Sequence, residues 1–183
     1  MAVFCGRSPG SHPDFLASAH ELGAGLARAG LRLVFGGGAT GMMAAVADAS
    51  LASGGRVLGI IPEFLVALEG VHAGAQEIIR TDGLHARKHL MYAYADAFVA
   101  LPGGLGTLDE VIEIITWRQA SLHDKPVIIA NVGDWADMLI ATLERTLHSG
   151  FAGPETSRLY EVVPNVAGAL ARLNSTARPT PRR

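Results

Sequence analysis

Ala97-Phe98-Val99-Ala100-Leu101-Pro102-Gly103-Gly104-Leu105-Gly106-Thr107-Leu108-Asp109-Glu110 is the most informative stretch of the chain. Its first five residues are apolar, short for a helix and right for a buried strand. Pro102 and the glycines stop that strand, and a long apolar helix is expected over 108–122. A strand feeding a helix through glycines is half of a βαβ unit. Such units build parallel sheets with helices on both faces. Their ligands sit outside the carboxyl ends of the strands. The residues to watch are therefore Gly103, Gly104, Leu105, Gly106 and Thr107. Glycines let the backbone approach a ligand closely, and a helix N-terminus offers free N–H groups to a phosphate.

The same alternation runs outward in both directions. Further strands are expected at 3–5, 31–35, 56–61, 76–80, 126–131 and 160–163. Helices are expected at 14–29, 42–53, 84–95, 135–148 and 166–173. Segment 64–74 follows neither period. The fold class is α/β, a Rossmann-like parallel sheet with helices on both faces, as a single domain over 1–175. Residues 176–183 carry two prolines and three arginines and read as a C-terminal tail.

Composition narrows the function. The chain has 183 residues, 49% of them apolar, which excludes disorder for its body. Charged residues make up 17%, below the usual ~25%, which points to surface hidden in an oligomer. A net charge of −2 gives no electrostatic case for nucleic-acid binding. The single cysteine, Cys5, excludes an internal disulfide framework and a cysteine-based zinc site, and it fits a cytoplasmic location. No signal peptide or membrane span is expected, since there is no basic leader and no apolar run of ~18 residues.

A second glycine turn, Gly36-Gly37-Gly38-Ala39-Thr40-Gly41, lies between a strand and a helix. Read literally it is a dinucleotide fingerprint, with Glu63 about 20 residues further on as the expected acid. It also reads as a tight strand-to-helix turn. Two glycine nests in one domain suggest one phosphorylated ligand held across the crevice. Glu110 has two readings of equal standing. Thr107-x-x-Glu110 is a capping box, or Glu110 is a carboxylate set beside a sugar phosphate. Asp109 and Glu113 read as solvated. Val111, Ile112, Ile114, Ile115 and Trp117 make the helix apolar nearly all round, so it is buried or in an interface.

His85-Ala86-Arg87-Lys88-His89 puts cations near the start of a helix, where the dipole disfavours them. An anionic partner would resolve this; a solvated face is the plainer reading. His85 and His89 stand four apart without the glutamate of a zinc helix, so no metal site is expected, and there is no GxSxG elbow.

Taken together, these motifs resemble those of the LOG ("Lonely Guy") family of cytokinin riboside 5′-monophosphate phosphoribohydrolases. Pro102 to Glu110 looks like its PGGxGTxxE signature. Cys5 to Gly10 is similar to CGSSPG, Gly36 to Met43 to GGGxxGLM, and Ile61 to Leu65 to IPEFL. Leu84 to Lys88 is similar to MHxRK, and Thr116-Trp117 with His123 to Val127 to TW…HDKPV. The resemblance covers nearly the whole chain. It implies a homodimer that needs no cofactor and cleaves the N-glycosidic bond of a purine nucleoside 5′-monophosphate. Arg87 and Glu110 are then the catalytic pair. Glu69, Lys88, Thr116 and Gly103 to Thr107 bind the nucleotide, with Ser8, Gly37 and Gly38 lining the same crevice. Some positions depart from the pattern: Arg7 stands for serine, Leu84 for methionine, Ala44 for glycine and Asp109 for glutamate, and Trp117 to Leu122 differs from WAQLGI. The competing readings are an NAD-binding Rossmann enzyme and a non-catalytic AMP sensor or carrier. Amino-acid decarboxylation normally wants a pyridoxal Schiff-base lysine, and the chain has only Lys88 and Lys125.

Overall fold

Seven strands form one sheet in the order β4-β3-β2-β1-β5-β6-β7, and every neighbouring pair is parallel. They are β1 (Ala2–Phe4), β2 (Leu33–Phe35), β3 (Val57–Pro62), β4 (Glu77–Thr81), β5 (Phe98–Ala100), β6 (Val127–Ala130) and β7 (Glu161–Val163). The helices are α1 (Pro13–Arg28), α2 (Gly41–Ala52), α3 (Glu63–Glu69), α4 (Leu84–Ala93), α5 (Leu105–Gln119), α6 (Asp137–His148) and α7 (Val166–Thr176). This computed structural model describes residues 1–176, so the expected tail beyond Thr176 lies outside the described residues. The Rossmann-like α/β class and the single domain agree with the sequence reading.

Residues of β1, β2, β3, β5 and β6 are buried throughout, as strands covered on both faces must be. Alternate side chains serve alternate faces. Val3, Leu33 and Phe35 pack with Leu22, Leu26 and Val46 of α1 and α2. Phe4, Val34 and Phe98 pack with Met91, Val111 and Ile114 of α4 and α5. No helix among the described residues is long and apolar enough to cross a membrane.

β1 has β2 on one side and β5 on the other, so the connections diverge there. The loops after β1 and β5 flank that switch point, where a crevice opens. Both are drawn tight: the Gly6 amide donates to the Pro102 carbonyl at 3.0 Å.

Two local differences from the sequence reading matter. The first part of segment 64–74 belongs to α3, which starts one residue earlier, at Glu63. None of its seven residues is fully buried, and Phe64 to Leu68 run apolar without a break, so no helical period shows; Gly70 at φ 67° ends it. The second concerns α5, which begins at Leu105 rather than 108, with Gly104 as N-cap. Gly106, a poor helix former, masks the first turn. Thr107 is thus the third helical residue, and no side chain caps this helix. The capping-box reading of Thr107 and Glu110 is thereby overturned.

Candidate active site

A cleft of about 330 Å³ opens at the switch point. Its wall takes residues from the β1 loop, α2, α3, α4 and α5. Arg87 and Glu110 lie within it, at 11% and 10% side-chain exposure, with Arg87 Nη2 3.7 Å from Glu110 Oε1. That is ion-pair distance but too long for a hydrogen bond. Burial therefore dominates the carboxyl: it pushes Glu110 up from 4.5 to about 7, while Arg87 pulls the other way and Asp109 adds to the rise. The Cys5 thiol in the same wall is pushed far above its usual range, by burial first and by Glu110 second. It stays protonated and is no nucleophile.

α4 delivers Arg87 into the cleft and Lys88 onto α5. Lys88 Nζ lies 2.9 Å from Asp109 Oδ2 and 3.0 Å from Glu113 Oε1. Burial would lower the lysine, but hydrogen bonds to both carboxylates win and raise it. Asp109 and Glu113, four apart on one helix face, bracket Glu110. Asp109 is exposed, as expected of a solvated residue, whereas Glu113 is half-buried; Lys88 of the basic patch pairs with both. Lys88 thus ties α4 to α5 beside the cleft and is not among the residues lining it.

The two glycine turns do different work. Leu108 makes the first backbone bond of α5, to the Gly104 carbonyl at 3.1 Å. The amides of Leu105, Gly106 and Thr107 precede it, have no helical acceptor and border the cleft. In the other turn, the amides of Met42 and Met43 at the start of α2 both donate to the Gly6 carbonyl, at 3.1 and 3.3 Å. The helix end expected to serve as a second nest is therefore occupied by protein. Its glycines make room instead. A Cβ on Gly36 would run into Arg87 Nη2 and Met43 Sδ, and one on Gly38 into Met43 Cε and Glu69 Oε2. Gly36→Ala is accordingly expected to displace Arg87 and to destabilise by about 1–3 kcal/mol, the usual range for overpacking. Its measure is the denaturant midpoint together with kcat; an unchanged kcat would show that Gly36 does not seat Arg87.

The remaining sequence-predicted residues fall in several places. Glu69 lines the cleft; Ser8 lines an adjoining hollow of about 340 Å³ that shares Gly6, Arg7 and Gly104 with it. Gly37 and Gly38 are buried below. Thr116 is exposed further along α5, its hydroxyl donating to the Ile112 carbonyl at 2.8 Å, and it is not part of the cleft wall. Glu63 is exposed and paired with Arg80 at 2.8 Å. The dinucleotide fingerprint therefore sits after β2, off the switch point, with its acid engaged elsewhere. Sequence reasoning gave no site role to Cys5, Met43 or Leu65, which line the cleft and were read only as parts of motifs.

Fold and site define a parallel α/β protein with one cleft built on a buried arginine–glutamate pair and an open helix N-terminus. Residues 43–173 match the family model described as "Possible lysine decarboxylase". The cytokinin riboside 5′-monophosphate phosphoribohydrolase of Rhodococcoides fascians is 39% identical over 176 residues, 96% of this chain and 89% of that one. An Arabidopsis thaliana enzyme of the same description is 37% identical over 175 residues, 96% of this chain and 77% of its own. The chain belongs to the LOG family. Among solved structures it shares its fold with the molybdenum cofactor carrier protein of Chlamydomonas reinhardtii. That match has a TM-score of 0.71 at 24% identity, over 95% of this chain and 94% of the other.

Decarboxylation finds no support in the lysines. Lys88 is held by two carboxylates, and Lys125 Nζ donates to the Tyr92 carbonyl at 2.9 Å while lying 3.9 Å from that ring's centroid. Among the described residues lining the cleft there is no lysine.

Proposed function

We propose that the protein hydrolyses the N-glycosidic bond of adenosine 5′-monophosphates, N6-substituted or plain. The products are the free base and ribose 5-phosphate. The observation that carries this reading is the buried Arg87–Glu110 pair beside the open end of α5. Helix α5 acts as a ruler. At ~1.5 Å rise per residue, Glu110 lies roughly 6–7 Å along the axis from the first free amides. That is the scale of a ribose 5-phosphate from phosphate to anomeric carbon. The amides of Leu105, Gly106 and Thr107 receive the phosphate. Glu110 then faces the sugar, and its ionised form stabilises the oxocarbenium-like charge that grows as the bond to the base breaks. It also holds the attacking water, whose hydroxyl joins the anomeric carbon while the proton leaves with the base. Arg87, next to Glu110, assists the departing base.

We assign the protein to the cytoplasm and to a homodimer. Support for the first is the buried free thiol of Cys5. Support for the second is the exposed Leu84, Leu105 and Ile112 on α4 and α5.

The test is a chromatographic assay for free base with AMP, isopentenyladenosine monophosphate and the matching nucleosides. Release from the monophosphates alone is expected, and the ratio between the two names the preferred base. AMP binding without release from any substrate would sink hydrolysis and favour a carrier.

A further inference from the structure

Arg7 follows the first strand and stands where the family pattern carries serine. Its backbone is fixed. The Arg7 carbonyl accepts the Thr40 hydroxyl at 3.0 Å, and Gly41, at φ +58°, brings the start of α2 against it. Its side chain is the opposite: 61% exposed, with Nη1 3.9 Å from Glu69 Oε1. The pair spans the cleft from the β1 loop to α3 without a hydrogen bond. Glu69 is only 9% exposed, and its Oε2 is buried with no partner. A loosely tied guanidinium and a half-satisfied buried carboxylate are set to exchange partners. Arg7 also lies on the rim shared by the cleft and the adjoining hollow, alongside Gly104 at the open end of α5.

We propose that Arg7 binds the substrate's 5′-phosphate together with the α5 amides and so sets the preference for nucleotides over nucleosides. The identity of that substrate rests on the phosphoribohydrolase reading. Without ligand, Arg7 neutralises Glu69. When a dianionic phosphate arrives, the guanidinium moves to it, because a planar fork matches phosphate oxygens in a charge-assisted, bidentate way. Glu69 is released to accept hydrogen bonds from the ribose hydroxyls. A serine at this position offers one neutral hydroxyl, so this chain holds the phosphate more tightly than it would with serine.

The experiment titrates AMP and adenosine into Glu110→Gln protein, with and without Arg7→Ser or Arg7→Lys. Arg7→Ser is expected to weaken AMP roughly tenfold, the scale of one charge-assisted contact, and adenosine by less than about twofold. Arg7→Lys should fall between, keeping charge but losing the fork. In active protein, KM for AMP should rise by the same roughly tenfold factor while kcat stays within about twofold. Equal losses for AMP and adenosine, or unchanged AMP affinity, overturn the proposal. The binding arm needs no turnover, so a wild type that releases no base counts against hydrolysis while Arg7 is still scored.

Discussion

Glu110→Gln should lower kcat by about 10²–10³-fold or more, the usual result of removing a group that meets transition-state charge. The exchange keeps shape and polarity and removes only the charge. KM should change far less, because the α5 amides and Arg7 hold the phosphate. Two further readouts follow from the raised Glu110 carboxyl. In wild type, kcat/KM should climb with pH through about 7, as the buried carboxyl ionises. Stability should run the other way. A folded value of about 7 against 4.5 means the folded state holds a proton that the unfolded state releases. The associated stability is present below pH 4.5 and lost as pH rises through 7. Its size is on the order of 3 kcal/mol, a figure that already includes the opposing pull of Arg87. Glu110→Gln should abolish that slope and melt no lower than wild type at pH 8. A variant that keeps more than a tenth of the activity, or melts well below wild type at pH 8, would show that Glu110 is structural.

The fold was legible because most strands, β1, β2, β3 and β5 above all, are short apolar runs closed by glycine or proline. Ala97 to Leu101 and Arg56 to Ile61 need no tertiary context to be read. The strand order was not legible, because parallel pairing leaves no local signature when both faces are buried. Arg87 and Glu110 were named from motifs, yet their separation depends on how α4 meets α5, and Lys88 settles that through Asp109 and Glu113. Charge count alone could not distinguish those carboxylates from solvated ones. The two glycine turns looked alike as strings. They differ in which carbonyl lies opposite the following helix: Gly6 faces α2 and occupies its amides, whereas α5 meets open cleft. That contact joins residues more than thirty apart in sequence, so no local pattern could separate the two. α3 was hidden because none of its residues is fully buried, although it carries Glu69.

Arg87→Met tests the other half of the pair and should be nearly as damaging to turnover, again about 10²–10³-fold at neutral pH. Methionine fills the space beneath Gly36 without a charge, so lost packing is a small part of the effect. Glu110 then keeps its burial and loses the cation that pulls its carboxyl down. Its ionisation should move further above 7, and the rise of activity with pH should move with it. Stability should respond in a pH-dependent way. At pH 5 Glu110 is protonated in both proteins, and the variant should melt close to wild type. At pH 8 wild type carries a buried pair and the variant a lone buried carboxyl, the situation that costs about 3–5 kcal/mol when one partner is removed. Protonation of Glu110 relieves most of that cost: with a wild-type value of about 7, the extra loss at pH 8 is capped at about 1.4 kcal/mol, one pH unit of ionisation. The measurement is thermal unfolding of both proteins at the two pH values, alongside a pH–rate profile. An equal loss at pH 5 and pH 8 would mean that Arg87 contributes packing rather than charge. An unmoved pH–rate profile would mean that the group titrating in catalysis is not Glu110.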